Sequence, residues 1–446
     1  MNTLPYFLEN SNYPVRRSLE DEINTDIIIV GAGMAGISAA YALSKMIEPS
    51  AITVIEAGQV GSSTTGFSSG ILVDSVEEDY GDMDKDIHGE VQHGIEGIIN
   101  AIESEQLSCG LQKMPSFYLA TDRNQINSVM REYAARRNAG FNVRILNEAG
   151  LDAYGNAALK AMVNEDGTCF NPFAFCQEMA KLLESRGVKI YEQTKLNGYD
   201  SVKKVAVIQN AQTANTRSNI NYGKLILTNS SAHLEELRRK ALLLACTVAV
   251  TEPLPSECYN HIFGNGEYLG WDSSGVNYVY FRPVEGHRLM IGGADRLVNL
   301  AKARKGVSND VDNGLSNGLL TRKKDIASLR QSIERIFHSI HFIPFSHVWT
   351  GIIPSSVDGI PLAGEFEQDH YLGLYNPGLP NAFRVGQILA QSISQNASGE
   401  SDANVRANAN IGADMFRYDR AIPLTKMIRS LSKYEPFTTL ANAFYF

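Results

Sequence analysis

The sequence predicts an α/β fold, α+β overall: a Rossmann-like nucleotide-binding domain with a β-sheet domain interleaved into it. Three observations predict this. Residues 26–36 read DIIIVGAGMAG, an apolar run that ends in spaced glycines. A second apolar run, residues 52–55, ends in the acid Glu56. From Ala245 to Arg296 the pattern turns β-rich, with alternation in VNYVYFRPV and a run in RLMIGG.

The elements follow in chain order. Ile27-Ile28-Ile29-Val30 is continuously apolar, as a strand buried on both faces of a parallel sheet requires. Gly31-x-Gly33-x-x-Gly36 follows at once, then the helix-competent ISAAYALSKM. Gly31 allows the tight turn, Gly33 lets backbone approach a pyrophosphate, and Gly36 lets the helix pack close to the strand. The helix N-terminus then faces the phosphate charge. Glu56 stands twenty residues past Gly36, where the fingerprint expects an acid for ribose hydroxyls. Together these features predict dinucleotide binding. The run of Gly, Ser and Thr from Gly61 to Gly70 has two readings: a path past a second part of a long cofactor, or an ordinary flexible loop.

Further on, SFYLAT reads as a strand and NQINSVMREYAARRNAG as a helix that stops on Gly140. Residues 172–187 read as a helix with Pro172 in its first turn and Gly187 as its stop. The polar stretch 209–221 lies between apolar runs and reads as a hairpin tip. Residues 304–318 are rich in Gly, Asn, Asp and Ser and read as a mobile loop. Asp325 to Ile340 carries apolar residues at helical spacing. His338 and His341 fall i and i+3 on that expected helix and are read as polar surface, so no metal is expected.

Composition sets the outer bounds. The 446 residues suffice for two domains with sizeable cores. A net charge of −9, with no basic block, argues against a nucleic-acid partner. No segment reaches transmembrane length, and the N-terminus lacks an apolar signal-peptide core. Five cysteines, odd in number and without a CxxC pair, fit a reduced cytoplasmic compartment. Cys169 and Cys176 flank Pro172 and are expected in the interior. The aromatic tail PFTTLANAFYF either docks on the body or forms a subunit contact, so oligomeric state stays open.

The chain resembles the FAD-dependent D-amino-acid oxidase superfamily, with glycine oxidase, sarcosine oxidase and D-amino-acid dehydrogenases. The resemblance runs through DIIIVGAGMAGISAAYAL, VIEAGQVGSSTTGFSSG, FNPFAFCQEMAKLLESRGVKIYEQTKL, KLILTNSSA, VAVTEPL, VYFRPVEGHRLMIGGADR, WTGIIPSSVDGIPLAG and YLGLYNPGLPNAFRVGQILAQSI. The pre-motif segment PVRRSLEDEINTD is most similar to the gamma-glutamylputrescine oxidoreductase branch. The resemblance implies a discontinuous FAD-binding domain of residues 25–95, 150–235 and 345–400. It implies a substrate domain of residues 96–149 and 236–344, with residues 1–24 an N-terminal arm and 401–446 a C-terminal helical extension. FAD contacts carried over from it fall on Gly31, Gly33, Ala35, Gly36, Glu56, Ala57, Ser62, Ser63, Ser68, Ser69 and Gly70. Leu196 meets the adenine through backbone, and Gly378 lets a late loop approach the flavin.

Departures from the family shape the substrate expectation. Glycine oxidase and D-amino-acid oxidase carry an arginine at the position of Ile353, where it pairs with a substrate carboxylate. Isoleucine supplies no such charge, nor does Asn376, where glycine oxidase has another arginine. Tyr280, Arg282, Trp349 and Ile353 remain as pocket candidates, with Arg282 equally readable as a surface strand residue, and no general base is named. Covalent flavin attachment in this superfamily uses Cys or His. No cysteine follows Cys258 and neither residue occurs from Gly61 to Gly70, so FAD is expected to be noncovalent. The expected reaction is oxidation of the CH–NH bond of an amine, a polyamine derivative among the candidates. The imine then hydrolyses, and oxygen or another carrier takes the electrons. The alternatives are an amino-acid oxidase or dehydrogenase with a relocated carboxylate clamp, and a non-catalytic flavin-binding helper.

Overall fold

The structure is a computed structural model. It describes residues 2–9, 11–74, 79–210, 217–228, 241–272, 278–298, 321–341, 343–375 and 378–398. The expected mobile loop at 304–318, Asn376 and the C-terminal extension lie outside the described residues.

Two large sheets organise the chain. In the first, strand Ile23–Val30 lies between Ile52–Ile55 and Arg217–Leu227, parallel to both. Lys189–Tyr191 and His370–Leu374 extend it in parallel on either side. The central position explains the apolar run, because Ile27 through Val30 are all buried. Helix Met34–Leu43 covers this sheet, and helix Leu379–Ser398 packs upon it. Gly386 makes that crossing close: a Cβ there would lie 2.3 Å from the Ala35 carbonyl oxygen. The polar stretch expected at a hairpin tip does join antiparallel strands, Val205–Asn210 and Arg217–Leu227, and the strands reach into it.

The second sheet runs in the order 345–356, 241–251, 288–297, 279–284, 269–272, 116–120, 160–164 and 143–147. One face is backed by Phe117, Phe281, Ile291, Leu329 and Ile333 among others. The other face meets the first unit through Phe67, Val248, Met290 and Trp349. Three stretches fall differently from the expected division. Strands Lys160–Asn164 and Phe345–Ser356 hydrogen-bond in the second sheet. Lys85–Ser104 is one continuous helix, so the expected boundary near residue 95 cuts through it. Its Gly94 lies against the Pro380 backbone, which keeps the whole helix with the first unit.

Local signals mark helix starts well. Asn171 accepts from the Ala174 N–H (3.0 Å) and Pro172 opens helix Pro172–Ser185. Cys169 and Cys176 are both buried. The helix expected over 325–340 is Lys323–Ile336, and Phe337 turns extended. His338 and His341 therefore lie beyond its end, without the i, i+3 helical relation. The apolar spacing continues because Phe337 and Ile340 stay buried in the same core by way of a turn.

Candidate functional site

The glycine turn is built as its spacing predicts. Gly31 takes φ +101° and its N–H bonds the Ile55 carbonyl at 2.8 Å. A Cβ at Gly36 would sit 1.8 Å from the Gly31 oxygen, so only glycine allows this approach. The first N–H groups of helix Met34–Leu43 have no partner within the helix. One of them, on Met34, donates to the Thr65 hydroxyl at 3.0 Å. Thr65 escaped the sequence reading, since nothing in the run TTGF distinguishes it from its neighbours.

Glu56 closes the turn from the neighbouring strand. Its carboxylate accepts from the N–H groups of Ala32 and Gly58, both at 2.8 Å. Burial pushes its pKa up, against the pull of those backbone donors. Residues 57–61, Ala57 included, curl back under this acid: the Gly61 N–H reaches the Ala32 carbonyl at 3.0 Å, and the Val60 N–H donates to Glu192 at 2.8 Å. Arg16 from the N-terminal arm pairs with Glu192 at 3.1 Å, bracing the turn from behind. This brace too was invisible from local pattern, because its members lie far apart in sequence. Leu196 lies in strand Thr194–Asp200, which starts beside the acid: the Thr194 N–H donates to the Glu56 carbonyl at 2.8 Å.

The Gly/Ser/Thr run is an ordered bridge between the two sheets. The Ser62 hydroxyl accepts from the Gln59 N–H at 3.2 Å, and Ser63 precedes the short helix Thr64–Phe67. The Trp349 indole N–H donates to the Phe67 carbonyl at 2.9 Å. Arg282 donates from Nη1 to the carbonyls of Ser69 (3.0 Å) and Phe170 (2.9 Å). Gly70 has φ +75°, and a Cβ there would sit 2.0 Å from the Phe170 oxygen. Gly378, with φ +123°, leads into the late helix.

The pocket candidates divide accordingly. Trp349 is fully buried and Arg282 is 5% exposed, so both act as latches on the loop. Arg282 is not a surface residue, and burial lowers its pKa. Ile353 is half-buried on the face that also carries Trp349 and Gly351. The Tyr280 ring lies against Gly292, with Ser69 beside its hydroxyl; burial and then the Asp295 charge push its pKa well up.

A long dinucleotide fits this cradle. Helix N–H groups, close-packed glycines and an acid stand at one end. At the other, the Ser68 hydroxyl is buried and among the described residues has no hydrogen-bond partner, a group that a bound ligand would satisfy. Fold and site together define a protein of two large sheets with a glycine turn of the dinucleotide-binding type.

Residues 26–392 match the DAO family of FAD dependent oxidoreductases, and the chain belongs to that family. It is 21% identical over 468 aligned positions to gamma-glutamylputrescine oxidoreductase of Escherichia coli (strain K12), covering 100% of this chain and 97% of that protein. Over 197 positions it is 21% identical to a protein of Bacillus subtilis (strain 168) named as a Rieske 2Fe-2S iron-sulfur protein. That match covers 42% of this chain and 38% of the other protein, so the chain spans well under half of its length. Among solved structures, glycine oxidase from Geobacillus kaustophilus superposes with a TM-score of 0.66 at 16% identity, covering 90% of this chain and 100% of that one. Among the described residues, no helix is long and apolar enough to cross a membrane.

Proposed function

We propose that this protein oxidises the CH–NH bond of a small amine, polyamine derivatives included, with noncovalently held FAD. Bound FAD would supply the acceptor for a hydride from the substrate carbon. The nitrogen loses its proton, water adds to the imine, and aldehyde and free amine result. Oxygen or another carrier takes the two electrons onward, and the protein works in the cytoplasm.

The chain's own residues hold and orient. Gly31, Gly33, Ala35 and Gly36 offer backbone to the pyrophosphate, and Glu56 with Ala57 takes the ribose end. Leu196 flanks the adenine. Ser62, Ser63, Ser68, Ser69 and Gly70 line the middle, and Gly378 lies toward the flavin. Tyr280 and Ile353 present a desolvated surface to the substrate, which favours the neutral amine that hydride loss requires.

One observation carries amines over α-amino acids. Ile353 offers no charge, and Arg282 already directs both Nη1 N–H bonds at the carbonyls of Ser69 and Phe170. A buried carboxylate without a cationic partner is strongly disfavoured. Steady-state comparison on one preparation tests this, with alkylamines and diamines set against glycine, sarcosine and D-alanine. Amines are expected to give the higher kcat/KM; the highest value for an α-amino acid would overturn the reading.

A further inference from the structure

Asp295 is a buried acid with an unmet hydrogen-bonding demand. It is 8% exposed. Its Oδ2 accepts from the Tyr278 hydroxyl at 2.8 Å and the Cys246 thiol lies beside the carboxyl group, whereas among the described residues Oδ1 has no hydrogen-bond partner. Buried polar atoms of native proteins are paired almost without exception, and an orphaned one asks what completes it. The next residue supplies nothing, because Arg296 is directed at Asp325 (3.4 Å).

The backbone aims this acid deliberately. Along strand Arg288–Leu297, Met290 faces the first unit and Ile291 the opposite core. Gly292 lies beneath Tyr280. Strict alternation would then turn Asp295 away from Tyr280. Instead the pairing with strand Ala241–Thr251 slips at Ala245/Thr247, with Gly293 at φ +136° and Ala294 at φ +53°. The left-handed conformation strains an alanine, and such bulges re-aim side chains near sites. Ala294 packs toward the opposite core, and the phase flips. Asp295 thereby meets Cys246 and acts on Tyr280. Cys246 pairs with Gly351, two residues from Ile353 on the same face.

The face from which a cationic side chain is missing at Ile353 therefore carries a buried acid. We propose that Asp295 is a specificity residue that accepts a hydrogen bond from a protonated nitrogen of the substrate, other than the nitrogen being oxidised. The inference rests on the amine reading above and narrows it to amines with a second, cationic nitrogen. The reacting nitrogen must be neutral, so the donor to Asp295 is a separate ammonium group. Burial raises the acid's own pKa, and an incoming cation draws it back toward the charged form.

The test uses the holoenzyme and two probes of equal length, 1,4-diaminobutane and 1-aminobutane. Wild type is compared with Asp295→Asn, nearly identical in shape, and Asp295→Glu. Steady-state kinetics and thermal stabilisation by each amine under anaerobic conditions are read on every variant. Loss of a charged hydrogen bond predicts that Asp295→Asn lowers kcat/KM for the diamine by about tenfold to a hundredfold, through KM. The monoamine values stay level, FAD content is unchanged, and Asp295→Glu recovers part of the preference. An equal effect on both amines, or none, overturns the assignment. If the diamine stabilises wild type but not Asp295→Asn and neither amine is oxidised, the amine-oxidation reading falls and the binding role stands. If the diamine is neither oxidised nor stabilising in wild type, the assignment falls, and the amine reading falls with it when 1-aminobutane is not oxidised either.

Discussion

Arg282→Met separates a structural latch from a substrate clamp. The guanidinium is 5% exposed and spans two backbone segments, Ser69 and Phe170, at 3.0 and 2.9 Å. Methionine keeps much of the stem volume but leaves both buried carbonyls without that donor. Each hydrogen bond to a charged group contributes about 1.5–3 kcal/mol. Loss of two therefore costs about 3 kcal/mol at the low end of that range. For a unit of roughly 200 residues this lowers Tm by about 6–12 °C. The cofactor loop loosens with it, because Ser68 to Gly70 are the residues released. Calorimetry and FAD titration of the apoprotein measure the two effects, and both are expected: a lower Tm and a weaker FAD Kd. A variant with unchanged Tm and FAD affinity, but with KM raised only for carboxylate-bearing substrates, would refute the latch and restore Arg282 as a clamp.

Gly36→Ala places a Cβ 1.8 Å from the Gly31 carbonyl, which is backbone and cannot step aside. Purified variant is expected to be colourless and to fail reconstitution with FAD, as read by visible absorbance. Arg136→Met removes the buried cation that lies between half-buried Asp74 and buried Glu132. Stranding a buried carboxylate costs about 3–5 kcal/mol, so denaturant midpoints should fall accordingly. Burial pushes the Asp74 pKa up, but Arg136 outweighs this and holds it below the usual carboxylate value. A depressed folded pKa means that the contribution is present above the unfolded value of about 4 and lost as pH falls through the folded one. Wild-type stability should decline in that acid range, and Arg136→Met should lack this component of the decline in pH-dependent unfolding.

Much of the cofactor end was legible because its signals are local. Gly31, Gly33, Gly36 and Glu56 lie within one strand–helix–strand unit, where spacing along the chain is close to spacing in space. The helix start at Pro172 follows from capping rules of the same short range, whereas the helix after the glycine turn begins at Met34, three residues before the segment ISAAYALSKM. What escaped depends on contacts distant in sequence. Arg282 looked the same whether exposed or latched, since the carbonyls it holds belong to residues 69 and 170. Strand Phe345–Ser356 was assigned with the segment that follows it, but hydrogen bonding to residues 241–251 places it in the other sheet. Asp295 was hidden by a bulge: alternation read from the sequence puts it on the wrong face, and only the slip at Gly293–Ala294 turns it inward.

The central claim is that this chain holds FAD noncovalently and uses it to oxidise amines. An anaerobic titration tests it most directly: the purified yellow protein is mixed with amines and α-amino acids, flavin absorbance is followed, and the flavin is then released with acid. The account predicts bleaching by amines with one aldehyde formed per flavin reduced, and FAD free in the supernatant. Bleaching by glycine or D-alanine but by no amine would contradict it, as would colour that stays on the precipitated polypeptide.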